Sequence, residues 1–171
     1  MTWAPLLLTS PSPCLRMLVL QQLLDRPEDD EEVIELAKLR GNDPLVSDLL
    51  KLQAPDGSWK IADPVGLTLR TTLLNTAQAL ARLGYLGFDK TFPAVRKGAE
   101  YIFSLQEPDG SWPAPNDIDK NVITPLQTAL PLRGLALCGY AADPRAEKAY
   151  DWLLSHRLQD GAWPTRITAK G

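Results

Sequence analysis

Apolar residues recur at helical spacing along most of the chain. Within residues 67–83, Leu69, Leu73, Leu74, Ala77, Leu80 and Ala81 fall on one side of a helix. Val95, Ala99, Ile102 and Phe103 do the same within 93–105. Residues 124–137 read as a third helix, with Pro131 expected to kink or interrupt it because it lacks an N–H. Asp143 offers a side-chain acceptor to the start of a fourth helix, 144–156. Upstream, 14–24, 28–39 and 44–52 predict three more. Pro27, Pro44, Pro93 and Pro144 sit where helices would begin, the position that tolerates a missing N–H. Gly84 is expected to end the 67–83 helix as a C-cap. Nothing in the pattern argues for strands.

Three turns punctuate these helices. They are Leu52-Gln53-Ala54-Pro55-Asp56-Gly57-Ser58-Trp59, Leu105-Gln106-Glu107-Pro108-Asp109-Gly110-Ser111-Trp112 and Leu158-Gln159-Asp160-Gly161-Ala162-Trp163. Their tryptophans lie 53 and 51 residues apart, a period that suits one helix–loop–helix unit. The match extends upstream: Lys97-Gly98-Ala99-Glu100-Tyr101-Ile102 and Lys148-Ala149-Tyr150-Asp151-Trp152-Leu153 both begin fifteen residues before their tryptophan. Downstream, Thr76-Ala77 and Thr128-Ala129 follow Trp59 and Trp112 by 17 and 16 residues. The outer copies are degenerate, as terminal repeats often are. In the third, Arg157 holds the place of Gln106 and Gln159 is shifted by two.

Glycine supplies the left-handed backbone such a turn needs. The glutamine can bond backbone groups at the start of the next helix. The tryptophan is expected to fill the gap between adjacent hairpins. Asp56, Asp109 and Asp160 occupy equivalent turns and read as turn formers, not as an acidic cluster.

Composition changes the picture little. The 171 residues are 44% hydrophobic and 23% charged, with a net charge of -3. That is ordinary for a globular protein with a real core, and gives no nucleic-acid footprint. No apolar run is long enough to span a bilayer, and Leu6-Leu7-Leu8 has no basic residue before it, so no signal peptide is expected. Cys14 and Cys138 have no motif around them and read as buried, reduced thiols of a cytoplasmic protein.

The stretch Lys97-Gly98-x-x-Tyr101-Ile102-x-x-x-Gln106-x-x-x-Gly110-x-Trp112 resembles the QW motif of squalene–hopene and oxidosqualene cyclases, whose relatives include class II diterpene cyclases and protein prenyltransferase beta subunits. Thr124-Pro125-Leu126-Gln127-Thr128-Ala129 is similar to the opening of an inner helix in those cyclases. The resemblance covers roughly 42–163. It implies an all-α protein of helical-hairpin repeats forming part of an α/α toroid, in one domain: an N-terminal helical cap at 1–41, then three repeats over 42–171. Gln53, Gly57, Trp59, Gln106, Gly110, Trp112, Gly161 and Trp163 would be its structural motif residues. The segment from Cys14 to Asp30 also resembles the leader of bacterial squalene-cyclase-like proteins, which implies no activity.

The resemblance supplies a chemical test. Class II cyclases place Asp-x-Asp-Asp directly before the Thr-Ala of an inner helix, where burial and a second carboxylate keep the acid protonated. Here those places hold Thr72-Leu73-Leu74-Asn75 and Thr124-Pro125-Leu126-Gln127. The nearest imitation, Asp117-Ile118-Asp119-Lys120, leaves Asp119 as a weak candidate acid, since Lys120 would lower its pKa. Prenyltransferases need zinc held by Asp, Cys and His. The sole histidine, His156, and the isolated cysteines do not form such a set. Asp29-Asp30-Glu31-Glu32 reads as helix-dipole complement, not a magnesium motif, because Val33 stands where the last Asp should be. Arg70, Arg82, Arg96, Lys97 and Arg133 are too dispersed for pyrophosphate.

Three functions stay open: a non-catalytic module binding an apolar, isoprenoid-like ligand or a protein partner on its inner helical face; a piece of a terpenoid cyclase whose acid lies elsewhere; and a purely structural scaffold. No cofactor is expected. An incomplete arc would expose apolar surface, favouring self-association or completion by the rest of a larger protein.

Overall fold

The computed structural model describes residues 3–60, 69–112, 122–165 and 167–168. Asp117, Asp119 and Lys120 fall outside them. The chain forms two compact units, Met1–Lys51 and Leu52–Gly171.

The first unit holds α1 (Ala4–Leu8), α2 (Pro13–Leu23), α3 (Glu31–Leu39), a 3-10 turn (Arg40–Asn42) and α4 (Pro44–Lys51). Met17 and Leu20 of α2 meet Val33 and Leu36 of α3, with Leu8 and Ala37 against them. Capping defines the helix starts. The Ser12 hydroxyl accepts from the Leu15 N–H at 3.1 Å. Asp30 accepts from the Glu32 N–H at 3.0 Å, so α3 begins at Glu31 and not beside Pro27 as expected. Pro27 instead sits in the preceding turn, its carbonyl accepting from the Asp30 N–H at 3.2 Å. Asp43 is fully buried, accepting from the Cys14 N–H at 3.0 Å, the Leu45 N–H at 2.8 Å and the Ser12 hydroxyl. Burial works to raise this carboxyl, but those hydrogen bonds outweigh it and hold it below its ordinary value.

The second unit contains α5 (Leu69–Tyr85), α6 (Pro93–Ser104), α7 (Pro125–Leu135) running into a wide turn at Ala136–Tyr140, and α8 (Pro144–Ser155). α5 and α7 lie side by side, and small residues set how close they come. A β-carbon on Gly134 would sit 2.6 Å from the Ala77 carbonyl oxygen, and one on Gly84 would sit 2.7 Å from Leu137. Gly84 therefore allows a close helix contact inside α5 and is not its cap. The cap glycine is Gly87, at φ +81°: its N–H donates to the Gly84 carbonyl and the Phe88 N–H to the Leu83 carbonyl, both at 3.0 Å. α6 packs on α5, with Gly98 against Leu80 and the Trp59 ring, and α8 packs on α7.

Two further expectations are corrected. α7 continues through Pro131 and is not interrupted there; the departure from α geometry comes at Ala136–Tyr140, where Gly139 takes φ +84°. A short antiparallel pair also exists, Val122–Ile123 against Ile167–Thr168. Two residues per strand are too few to leave a period in the sequence.

Candidate functional site

The three turns share one backbone path. The Ala54, Glu107 and Leu158 N–H groups donate to the carbonyls of Ser58, Ser111 and Ala162 at 2.8, 2.9 and 2.8 Å. Gly57, Gly110 and Gly161 take φ of +90°, +98° and +88°. Each aspartate closes its own turn: Asp56 accepts from the Ser58 N–H at 3.0 Å, Asp109 from Ser111 at 2.9 Å and Asp160 from Ala162 at 3.0 Å. The Ser58 hydroxyl and N–H, then Lys60, bring Asp56 down to about 2. At Asp109, burial opposes such a shift, but Ser111 and the Trp152 indole outweigh it. Strongly ionised carboxylates of this kind do not donate protons.

The glutamines tie each turn to the outer helix that follows. Gln53 Nε2 donates to the carbonyls of Gly57 at 3.0 Å and Ala94 at 2.9 Å. Gln106 Nε2 donates to Gly110 and Arg145, both at 2.9 Å. Ala94 and Arg145 are the second residues of α6 and α8. In the third turn Arg157 Nε donates to the Gly161 carbonyl at 2.9 Å, the first half of what a glutamine does.

The tryptophans tie each turn to the inner helix that follows. The main-chain N–H of Trp59 donates to the Thr76 hydroxyl oxygen at 3.0 Å, and that of Trp112 to Thr128 at 3.2 Å. The Thr-Ala pair was visible as a recurrence in the sequence, but this acceptor role was not. The indole N–H of Trp112 donates to the Ile102 carbonyl at 2.8 Å, and that of Trp163 to Leu153 at 2.9 Å. Trp59 and Trp112 are 1% and 0% exposed, whereas Trp163 is 45% exposed. Among the described residues nothing accepts from the Trp163 main-chain N–H.

Beside Trp163 the surface opens. A hollow of 690 Å³ is lined by Thr124, Pro125, Leu126, Ala129, Leu153, Trp163, Pro164 and Thr165. A second, of 490 Å³, shares Ala129 and Leu153 and continues along α7 and α8 to Arg133, Leu137 and Tyr150. The lining is almost wholly apolar. In the sequence these residues occupy ordinary helix and turn positions. Only comparison of the third turn with the first two could have marked them.

Several other candidate groups among the described residues are engaged in the fold. Cys14 and Cys138 are buried free thiols, each pushed up to about 12, first by burial. Cys138 Sγ donates to the Leu80 carbonyl at 3.2 Å. His156 Nδ1 lies 2.7 Å from the Trp152 carbonyl, its ring stacked on that indole. Asp30 caps α3 and pairs with Arg26 at 3.1 Å. Arg133 donates to the Tyr85 hydroxyl. In the four residues before Thr76 and before Thr128 no side chain is a carboxylate.

Comparison with known proteins fits this geometry. A family model described as "Squalene-hopene cyclase C-terminal domain" matches residues 58–170. The repeated helical hairpins thus define a fold of the α/α-toroid class. The chain belongs to the squalene-hopene cyclase C-terminal domain family. It is similar to a probable squalene–hopene cyclase of Sinorhizobium fredii, 27% identical over 132 residues, 72% of this chain and 20% of that protein. It is also similar to squalene–hopene cyclases of Bradyrhizobium diazoefficiens, 27% identical over 74% of the chain and 20% of the relative, and of Zymomonas mobilis, 29% over 67% and 18%. The chain thus spans about a fifth of the length of these relatives. No helix among the described residues is long and apolar enough to cross a membrane.

Proposed function

We propose that this chain is a non-catalytic squalene cyclase-like repeat module that docks a helical protein partner on its α7–α8 face. One observation carries this reading: the groove beside Trp163 is bounded by the counterparts of the turn and helices around Trp112, which is completely buried with α7 beside it. An apolar groove at a place whose counterpart is buried supports a docking site. The absence of carboxylates before Thr76 and Thr128 supports a role without proton-donor chemistry.

The direct test is Leu126→Asp. Leu126 lines the groove and is 63% exposed, so the change leaves folding intact. Self-association or partner capture measured by light scattering should weaken at least tenfold. Unchanged association would remove the reading.

A second reading has its own support. The 690 Å³ hollow is of the size, on the order of 300–1,000 Å³, that holds small molecules, and only Thr124 and Thr165 add hydroxyls to its apolar lining. An isoprenoid-like ligand fits that chemistry. Squalene or a prenyl alcohol would then raise the melting temperature and alter Trp163 fluorescence. Absence of both effects rejects it.

A further inference from the structure

Asp-Gly pairs are prone to a slow self-modification, because glycine has no β-carbon to shield its amide nitrogen. That nitrogen, on losing its proton, attacks the aspartate Cγ. A five-membered imide forms and a carboxyl oxygen leaves as water. Water then reopens the ring at either carbonyl. One opening restores aspartate; the other gives isoaspartate, with the main chain running through Cβ and Cγ. Mass and oxidation state end unchanged. The chain carries three such pairs, Asp56-Gly57, Asp109-Gly110 and Asp160-Gly161.

In the first two turns the fold holds the reacting atoms apart. The Gly57 and Gly110 N–H groups donate to the Ala54 and Glu107 carbonyls, each at 2.9 Å, so neither nitrogen gives up its proton readily. Both oxygens of each carboxylate are also taken. Oδ1 of Asp56 accepts from the Ser58 hydroxyl at 2.6 Å and N–H at 3.0 Å, and Oδ2 lies 3.1 Å from Lys60 Nζ. Oδ1 of Asp109 accepts from the Ser111 hydroxyl at 2.7 Å and N–H at 2.9 Å, and Oδ2 from the Trp152 indole at 3.1 Å. The two aspartates are exposed to water, but Ser58 and Ser111 are 0% and 1% exposed and bind them from within. Ring closure requires the carboxyl to leave the residue two positions on and swing toward its own next nitrogen. These bonds must break first. They also keep both acids ionised, whereas the neutral carboxyl is the form that loses water.

We infer that Asp56-Gly57 and Asp109-Gly110 are isoaspartate-forming sites held shut by Ser58 and Ser111, whose hydroxyls guard the turn chemically as well as closing it. Isoaspartate at either place adds an atom to the main chain of the turn. It carries the glycine out from beneath the Lys97 or Lys148 carbonyl, where a β-carbon would already meet oxygen at 2.3 or 2.5 Å.

The test ages the intact chain in warm neutral buffer and measures isoaspartate at each site by peptide mapping with electron-transfer fragmentation. Wild type should isomerise at 56 and 109 far faster in guanidinium than folded. Ser58→Ala should raise the folded rate at Asp56, and Ser111→Ala that at Asp109, by about tenfold, the lower end of what a hydrogen bond to a charged group is worth. Alanine suits the turn: Ala162 holds that place in the third, where its carbonyl accepts from the Leu158 N–H at 2.8 Å. Each change should leave the other turn's rate alone. Trp152→Phe keeps an aromatic ring, frees Oδ2 of Asp109, and should likewise raise the rate at Asp109 only. Rates unmoved by all three substitutions overturn the inference. A rise at both turns together, which marks general loosening, also overturns it, as does a wild type that isomerises equally fast folded and unfolded.

Discussion

Gly57 lies directly beneath the main-chain carbonyl of Lys97, so close that a β-carbon would stand 2.3 Å from that oxygen. Gly110 repeats the relationship with Lys148 at 2.5 Å. The glycine is thus required twice, once for its positive φ and once because the first turns of the following outer helix leave no room for a methyl group.

Alanine at Gly57 or Gly110 is expected to destabilise the fold by more than the about 1–3 kcal/mol that a strained left-handed residue costs, since the helix backbone must also shift. Gly161→Ala should cost only the strain, because the flexible Arg157 side chain can give way. Urea unfolding of the three variants checks this order. Equal losses at all three would show that the contact with the next helix contributes nothing.

Gln106 joins its own turn to α8 with two hydrogen bonds from one nitrogen. Gln106→Leu removes both donors and leaves carbonyls that must find water. A loss of about 1–3 kcal/mol is expected, with the start of α8 opening first in hydrogen exchange. Uniform loosening of the unit would contradict a local tie.

Thr128→Val keeps the shape and removes the acceptor for the Trp112 N–H. An unpaired buried donor costs about 1–3 kcal/mol. Thr76→Val should behave alike at Trp59. Thermal unfolding within a few tenths of wild type for both would show that water or another group replaces the hydroxyls.

The repeat was legible in the sequence because glycine, aspartate and tryptophan each solve a local problem that few other residues solve. Helix positions followed from apolar spacing, and Asp143 caps α8 as its residue type foretells, accepting from Arg145 at 2.9 Å. Gly84 misled because a glycine that admits a neighbouring helix looks the same in sequence as one that ends its own; Gly87 does the ending. α1 has only five residues, too few for a period to register. The groove was invisible for a different reason. Ala129 and Leu153 are apolar like Ala77 and Ile102, their buried counterparts one repeat earlier, so only their exposure distinguishes them. Asp119 lies outside the described residues, and its candidacy as an acid stays an expectation of the resemblance.

Stability should fall in acid for an identifiable reason. Asp56, Asp43, Asp109 and Asp143 all hold their protons less tightly when folded. The unfolded chain, with carboxyls near 3.8, takes up protons first as pH falls. The stabilisation is complete above the unfolded value and is lost as pH falls toward about 2, where folded Asp56 titrates. Asp56→Asn should flatten the slope of stability against pH between about 4 and 2. An unchanged slope would remove Asp56 from the set.

The first two turns are closed by a threonine acceptor and the third leaves its tryptophan exposed. Amide hydrogen exchange at the three tryptophans measures this directly. The Trp59 and Trp112 N–H groups, held by Thr76 and Thr128, should exchange only with unfolding of the unit, while the Trp163 N–H exchanges orders of magnitude faster. Three tryptophans exchanging at one rate, or Trp112 exchanging as fast as Trp163, would contradict it.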